Sequence, residues 1–228
     1  MRLLEKAIAF VAPHDCLVCQ DEGSLLCAWC APDACPALPD RCYLCLKLSP
    51  ACRVCKTCRR KSQLRHVWVA TAYGGAAKDL IAKLKFGRAK DAAEIIADFL
   101  DARLPHLEPN TIITHIPAST SRARVRGYDQ AQLIAKSLAG KRGLSHIKLL
   151  ARYGQKRQLG ASRQRRLAQL NGAFRPSNLD FIGKTPILLI DDVLTTGATL
   201  ESAAKTLRQA GARVINATVF AQTSPGRI

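Results

Sequence analysis

After Cys58 the chain contains no cysteine: all ten lie between Cys16 and Cys58, and the remaining 170 residues have none. That absence excludes a disulfide framework for most of the protein. The clustering argues for metal ligation in a reducing compartment. Long apolar runs are missing too, and none approaches the roughly 18–20 residues of a membrane span. The opening stretch, Met1 to Ala12, is too short and too charged for a signal peptide and reads as a short amphipathic helix. The expectation is a cytoplasmic protein without a membrane span. Aromatics are scarce, with two Trp and six Phe. Nothing in their placement marks a purine or pyrimidine pocket.

Acidic residues are the other deficit. Seventeen Asp and Glu face 35 Lys and Arg, a formal net charge of +18. The imbalance is local: residues 119–175 hold fourteen Lys and Arg against the single Asp129. Ten of those fourteen are arginines, the side chain suited to bidentate phosphate recognition. Such an excess implies a polyanionic partner: nucleic acid, a pyrophosphate-bearing substrate, or both.

With 228 residues, the chain can bury one core of about 160 residues and carry a small appendage. The cysteines define that appendage. They form four Cys-x2-Cys knuckles, Cys16/Cys19, Cys27/Cys30, Cys42/Cys45 and Cys55/Cys58, each able to give two thiolates to a tetrahedral Zn²⁺. Two four-cysteine ribbons over residues 16–30 and 42–58 are the simplest arrangement, with one or two structural zinc sites. The spacing leaves open a cross-braced pairing and the alternative knuckle Cys52-x2-Cys55; Cys35 and Cys52 are left over. A domain this small needs the metal for its folding energy. The boundary is expected at 64, giving a ribbon domain over 1–64 and an α/β domain over 65–228.

Beyond the boundary, strands and helices alternate. Val67–Tyr73 reads as a strand halted by Gly74-Gly75, followed by a helix with Ala77, Leu80, Ile81 and Leu84 inward and ended by Gly87. Asp91 opens a second helix with Ile95, Ile96, Phe99 and Leu100 inward. Thr111–Ile116 is a strand stopped by Pro117, and Asp129 reads as the N-cap of a helix terminated by Gly140. Ile147–Leu150 is expected as a strand. Arg152–Arg166 lacks apolar periodicity and reads as a mobile functional loop or a disordered one, and Ser162–Leu170 could form a short basic helix. Phe174 is expected in the core. A last helix presents Leu200, Ala203, Ala204, Leu207 and Ala210 inward, and Val214–Phe220 is the final strand. This alternation predicts a parallel, doubly wound sheet with ligand sites at strand C-terminal ends.

One stretch carries specific chemistry: Ile187-Leu188-Leu189-Ile190-Asp191-Asp192-Val193-Leu194-Thr195-Thr196-Gly197-Ala198-Thr199. Four aliphatics suit a strand buried on both faces, which the two acids close. The small-residue loop then leads into a helix N-terminus, where amides, hydroxyls and the helix dipole favour a phosphate. Adjacent carboxylates suit sugar hydroxyls, or a metal held through water. The stretch reads as a sugar-phosphate site.

It also resembles the phosphoribosyl pyrophosphate (PRPP) motif of type I phosphoribosyltransferases at all thirteen positions. The four Cys knuckles, Lys83-Leu84-Lys85-Phe86, Arg126-Gly127-Tyr128-Asp129-Gln130, an Arg- and Gln-rich loop through Asn171, and this motif together resemble the ComF family of competence proteins. The family's Arg-Gly-Phe-Asn stands here as Arg-Gly-Tyr-Asp, which adds a negative charge near an anion site. The resemblance implies a type I phosphoribosyltransferase-like fold with a zinc-ribbon N-terminus and a role in DNA uptake during natural transformation. It implies PRPP bound with Mg²⁺ by Asp191, Asp192, Val193, Leu194, Thr195, Thr196, Gly197, Ala198 and Thr199, with Pro117, Ala118 and Arg126 near the pyrophosphate. Single-stranded DNA would meet Arg122, Arg124, Lys156, Arg157, Arg163, Arg165 and Arg166 and the zinc ribbon, with Tyr128 and Tyr153 as stacking groups. A DNA-translocating helicase and a membrane uptake channel are the implied partners. No residue is assigned as catalytic. An active phosphoribosyltransferase with an unidentified acceptor is the alternative, and a PRPP-sensing regulator is weaker because no helix-turn-helix pattern precedes the core.

Overall fold

The computed structural model describes residues 14–87, 89–119, 125–152 and 173–223. The N-terminal helix expected over residues 1–12, the basic helix expected over residues 162–170, Tyr153, and the DNA-contact candidates Arg122, Arg124, Lys156, Arg157, Arg163, Arg165 and Arg166 lie outside them.

Ile187, Leu188, Leu189 and Ile190 decide the architecture. All four are fully buried, but Ile187 and Leu189 join one apolar cluster while Leu188 and Ile190 join another. Successive side chains of a strand point to opposite faces, so this strand must be covered on both. It is β6 (Ile187–Leu194), and it lies at the centre of a five-stranded parallel sheet of order β1-β7-β6-β2-β3. Its companions are β1 (Val67–Ala72), β2 (Ile112–His115), β3 (Ser145–His146) and β7 (Ile215–Gln222). A second, antiparallel pair is formed by β4 (Leu150–Arg152) and β5 (Phe174–Pro176).

The layers follow from which helix face is apolar. After a four-residue helical turn, α1 (Ala31–Ala34), come α2 (Gly75–Phe86), α3 (Ala92–Arg103) and α4 (Gln130–Arg142), which cover one face of the sheet. Helix α5 (Ala198–Gln209) covers the other, burying Leu200, Ala203, Ala204 and Leu207. The expected doubly wound α/β fold is therefore present. Leu188 and Ile190 meet Leu80, Ile96 and Leu138 in one cluster, and Leu189 meets Leu200 and Leu207 in the other.

The Cys-rich segment divides between these faces. Cys16, Leu25, Leu26 and Cys35 join the α2–α4 cluster, whereas Cys42, Tyr43, Val54 and Leu64 join the α5 cluster. The link between them runs along edge strand β1, where Thr71 Oγ1 donates to Pro36 O at 3.0 Å and the Leu38 amide donates to Ala70 O at 3.3 Å. An edge strand covered in this way is withdrawn from pairing with other chains.

Four local expectations need correction. The acids do not close β6: the strand continues through Leu194, because Val193 and Leu194 still pair with Ala221 and Gln222 of β7. Gly140 stays inside α4, and Gly143, at φ 63°, ends it by the left-handed turn that glycine adopts without strain. Ile147–Leu150 is not one strand. Ser145–His146 pairs with β2, the chain then leaves the sheet, and Leu150 begins the antiparallel pair. On α3, Ile95 and Phe99 are only half-buried, and Ala92, Ala93 and Ala97 take the inward places beside Ile96 and Leu100.

Candidate functional site

Strands β2 and β6 are neighbours, but the helix following β2 lies on one face and the helix following β6 lies on the other. This is a topological switch point, and the crevice beyond its strand ends is where open α/β sheets hold ligands. It brings Pro117 and Ala118, just past β2, beside the acid-bearing part of β6; the Ile116 amide donates to Ile190 O at 2.9 Å.

Each element of the crevice has an identifiable support. Asp129 caps α4, its Oδ1 accepting from the amides of Ala131 (3.1 Å) and Gln132 (3.3 Å). Its Oδ2 accepts from the Ala118 amide at 2.7 Å, tying the β2 loop to the helix start. The charge that the sequence set near an anion site is thus engaged by three amides. Burial pushes the Asp129 carboxyl up, against those three donors, which favour its ionised form.

Asp191 and Asp192 behave differently from each other. Neighbouring side chains leave a strand on opposite faces. Asp192, which is buried, forms an ion pair with Lys85 at the end of α2. Asp191 Oδ1 accepts from the Asp192 amide at 2.9 Å. Burial, and then the adjacent Asp192 charge, push the Asp191 carboxyl well above the usual carboxylate range. Lys85 is a site residue that the sequence presents only as part of the Lys83–Phe86 motif. The signal was that motif itself, a basic helix end of no evident structural need. Two further contacts fasten the same helix end: Tyr128 Oη donates to Leu84 O, and the Arg126 guanidinium lies over the Phe86 ring, 5.1 Å from its centroid. Tyr128 is therefore a latch on α2 rather than a free stacking group. Arg126 keeps a buried Nη1 with no hydrogen-bond partner among the described residues.

The loop from Thr195 to Gly197 leaves β6 with Thr195 and Thr196 exposed and Leu194 buried. Gly197 is the N-cap of α5 at φ 76°, and no side chain caps this helix. The Ala198 amide has a local partner, Thr196 Oγ1 at 3.4 Å. The helix start keeps donors and the positive end of its dipole for an anion.

Beside this loop-and-strand site opens a recess of about 490 Å³ lined by His115, Pro117, Ala118, Asp129, Lys148 and Arg152, among others. His115, one of its lining residues, meets His146, Nδ1 to Nε2 at 3.0 Å, with rings stacked at 5.2 Å. Burial, with the His146, Lys148 and Lys136 charges, pulls His115 down to about 3, so it is neutral at physiological pH. Nothing in the sequence flagged this pair, since β3 is two residues long and has no periodic pattern. Phe174 is core as expected, with the Arg152 guanidinium 5.3 Å from its ring centroid.

The eight knuckle cysteines form two groups, Cys16/Cys19/Cys27/Cys30 and Cys42/Cys45/Cys55/Cys58, each with its sulfurs within 4.8 Å of one another. Tetrahedral Zn–S bonds of about 2.3 Å require sulfurs about 3.8 Å apart. Cys19 and Cys27 stand at 3.8 Å, and Cys45 and Cys55 at 3.6 Å. Both groups fit a structural metal, and the pairing is sequential rather than cross-braced. Cys35 and Cys52 are buried outside both groups; Arg103 Nη2 donates to Cys52 Sγ at 3.0 Å and to Asp40 at 2.5 Å. The two groups differ in charge. Residues 14–35 carry Asp15, Asp21, Glu22 and Asp33 with no Lys or Arg, whereas residues 41–66 carry eight Lys and Arg, all exposed, with no Asp or Glu. Over residues 1–66 as a whole the two partly offset, ten basic side chains against six acidic.

No family model matches the chain. By sequence it is similar to competence protein ComFC of Streptococcus pneumoniae, 29% identical over 200 residues that cover 86% of this chain and 87% of that protein. It is similar to competence protein ComFC of Bacillus subtilis as well, 30% identical over 182 residues, covering 75% of this chain and 72% of that protein. Among solved structures, the glutamine PRPP amidotransferase from B. subtilis complexed with ADP and GMP aligns at 15% identity and a TM-score of 0.41, over 61% of this chain and 30% of that one. Adenine phosphoribosyltransferase from Thermoanaerobacter pseudethanolicus aligns at 14% identity and a TM-score of 0.39, over 60% and 83%. Among the described residues, no helix is long and apolar enough to cross a membrane.

Proposed function

Because the chain belongs to the ComFC family of competence proteins, we propose that it serves DNA uptake in natural transformation as a binding protein for PRPP and single-stranded DNA. The observation that carries the PRPP reading is the uncapped start of α5, reached from an acid-bearing strand through Thr195–Gly197 at the switch point of the sheet. The 5-phosphate would lie on the loop amides and the hydroxyls of Thr195, Thr196 and Thr199, and the ribose hydroxyls would face Asp191 and Asp192. Val193 and Leu194 contribute backbone. Arg126, with its unpartnered Nη1, and the Pro117–Ala118 turn suit the pyrophosphate. Lys85 already neutralises Asp192, so the chain offers Mg²⁺ little beyond Asp191. That fits an ion that arrives with PRPP, held by pyrophosphate oxygens and water. Zinc suits both four-cysteine groups.

For DNA, the eight exposed cations over residues 41–66, a segment without Asp or Glu, would join Arg122, Arg124, Lys156, Arg157, Arg163, Arg165 and Arg166 as the basic set. The acidic first ribbon would repel a nucleic-acid backbone. A cytoplasmic location, a DNA-translocating helicase and a membrane uptake channel complete this reading.

The second reading is a phosphoribosyltransferase, and one observation favours it: the 490 Å³ recess beside the site has room for an acceptor. Pyrophosphate release from PRPP, measured with single-stranded DNA and a panel of acceptors, separates the two. Release dependent on one acceptor makes the protein an enzyme, and binding without release leaves it a binding protein.

A further inference from the structure

Of the two four-cysteine groups, only the second touches the phosphate loop among the described residues. Tyr43 follows its first cysteine, Cys42, directly in sequence; both are buried. The Tyr43 ring lies against Gly197, so closely that a Cβ there would stand 2.8 Å from Cε2 and 3.3 Å from Cδ2. The hydroxyl donates to Glu201, in the first turn of α5. Ser62 Oγ donates to the same carboxylate oxygen, and the Gln63 amide donates to the other at 3.0 Å. Ser62 and Gln63 lie just past Cys58, the last ligand of the group. Arg208, further along α5, donates to Gln63 O at 3.2 Å. Both flanks of the second group are therefore fastened to the helix whose N-terminus forms the anion site.

Glu201 explains why this matters. A carboxylate in the first turn of a helix interacts favourably with the dipole and competes with any anion brought there. Here three donors from the ribbon occupy it. The ribbon also fills the space over Gly197, fixing the turn that aims the loop amides. We propose that the second four-cysteine group is a positioning element for the phosphate loop, so that metal occupancy of Cys42, Cys45, Cys55 and Cys58 sets the affinity for a sugar phosphate through Tyr43 and Glu201. The first group, which packs against α2–α4 on the opposite face, has no such contact among the described residues. Coupling of this kind is reciprocal: the ligand also strengthens retention of the second metal.

The inference rests on the sugar-phosphate reading, and two readouts separate them. Zinc-loaded full-length protein is compared with Cys45→Ser, Cys19→Ser and Tyr43→Phe for PRPP affinity by calorimetry and for hydrogen exchange at the amides of residues 196–201. Cys45→Ser is expected to weaken PRPP binding by about tenfold or more, within the usual range of coupling energies. Its effect exceeds that of Cys19→Ser by roughly fivefold. Tyr43→Phe, which keeps the ring and both metals, lies between wild type and Cys45→Ser, and loop exchange accelerates in the same order. PRPP binding that neither Cys45→Ser nor Tyr43→Phe weakens, with loop exchange unchanged, overturns the coupling, as does equal weakening by Cys19→Ser and Cys45→Ser. A wild-type protein that ignores PRPP while loop exchange still answers to Tyr43→Phe overturns the PRPP reading and leaves the positioning role standing. Should Cys45→Ser fail to fold, Tyr43→Phe alone decides by the same two measurements.

Discussion

Gly197→Ala is the most economical perturbation of the loop. The residue sits at φ 76°, where an alanine costs roughly 1–2 kcal/mol. Its new methyl would meet Tyr43 Cε2 at 2.8 Å. The ring has little room to retreat: it is 6% exposed and anchored through its hydroxyl to Glu201. Overpacking of this kind costs about 1–3 kcal/mol. Together the two effects give about 2–5 kcal/mol. With a urea slope of about 2 kcal/mol/M, the midpoint should fall by roughly 1–2.5 M at unchanged slope. The two contributions separate in a double-mutant cycle with Tyr43→Ala, because removing the ring relieves the clash and leaves the backbone strain. The double mutant should therefore be more stable than the sum of the single effects by about 1–3 kcal/mol. A single-mutant cost below about 0.5 kcal/mol, or simple additivity, would refute the close docking of Tyr43 on Gly197.

Three further outcomes are expected. Elemental analysis of the full-length protein should find two zinc ions per chain, and Cys19→Ser and Cys45→Ser should each lose one; loss of both ions from either variant would contradict two independent four-cysteine groups. Lys85→Met removes the cation from a largely buried carboxylate and should destabilise by about 3 kcal/mol, the low end for a broken buried pair, given the partial exposure of Lys85; Asp192→Asn in the same background should restore part of that loss, and an uncorrected loss would dissociate the two residues. His115, held down to about 3, should remain neutral by imidazole NMR until well below pH 5, whereas a midpoint near 6.5 would disprove its burial beside His146. The unfolded state takes up that proton first, so His115 makes acidification between about pH 6.5 and 3 destabilising, while Asp191, shifted upward, works in the opposite direction.

How far the sequence reached depended on whether a signal was local. Ile187–Ile190 reported a doubly covered strand because burial on both faces requires apolar residues at consecutive positions. Asp129 announced its cap, and the positions of Ala77, Leu80, Ile81 and Leu84 announced the inner face of α2. The four knuckles gave the metal groups by spacing, and the fold resolved their pairing. What stayed hidden was long-range. The Lys85–Asp192 pair spans more than a hundred residues, as does Tyr43–Glu201, and no local pattern tells either residue which partner it meets. The His115–His146 pair depends on a two-residue strand, too short to carry a period. Gly140 misled because a glycine ends a helix only where the chain turns left-handed, which here is at Gly143. The charge contrast between the ribbons was present in the composition, but its meaning waited on the structure, which sets the two four-cysteine groups on different faces of the sheet.

The most direct test of the central claim is calorimetric titration of zinc-loaded full-length protein with PRPP in the presence of Mg²⁺, repeated with an Asp191→Asn, Asp192→Asn double variant confirmed as folded by its circular dichroism. The site described predicts saturable one-to-one binding by the wild type and at least a tenfold loss in the variant, about 1.4 kcal/mol or more. No heat of binding in the wild type, or equal affinity in the two proteins, would contradict it.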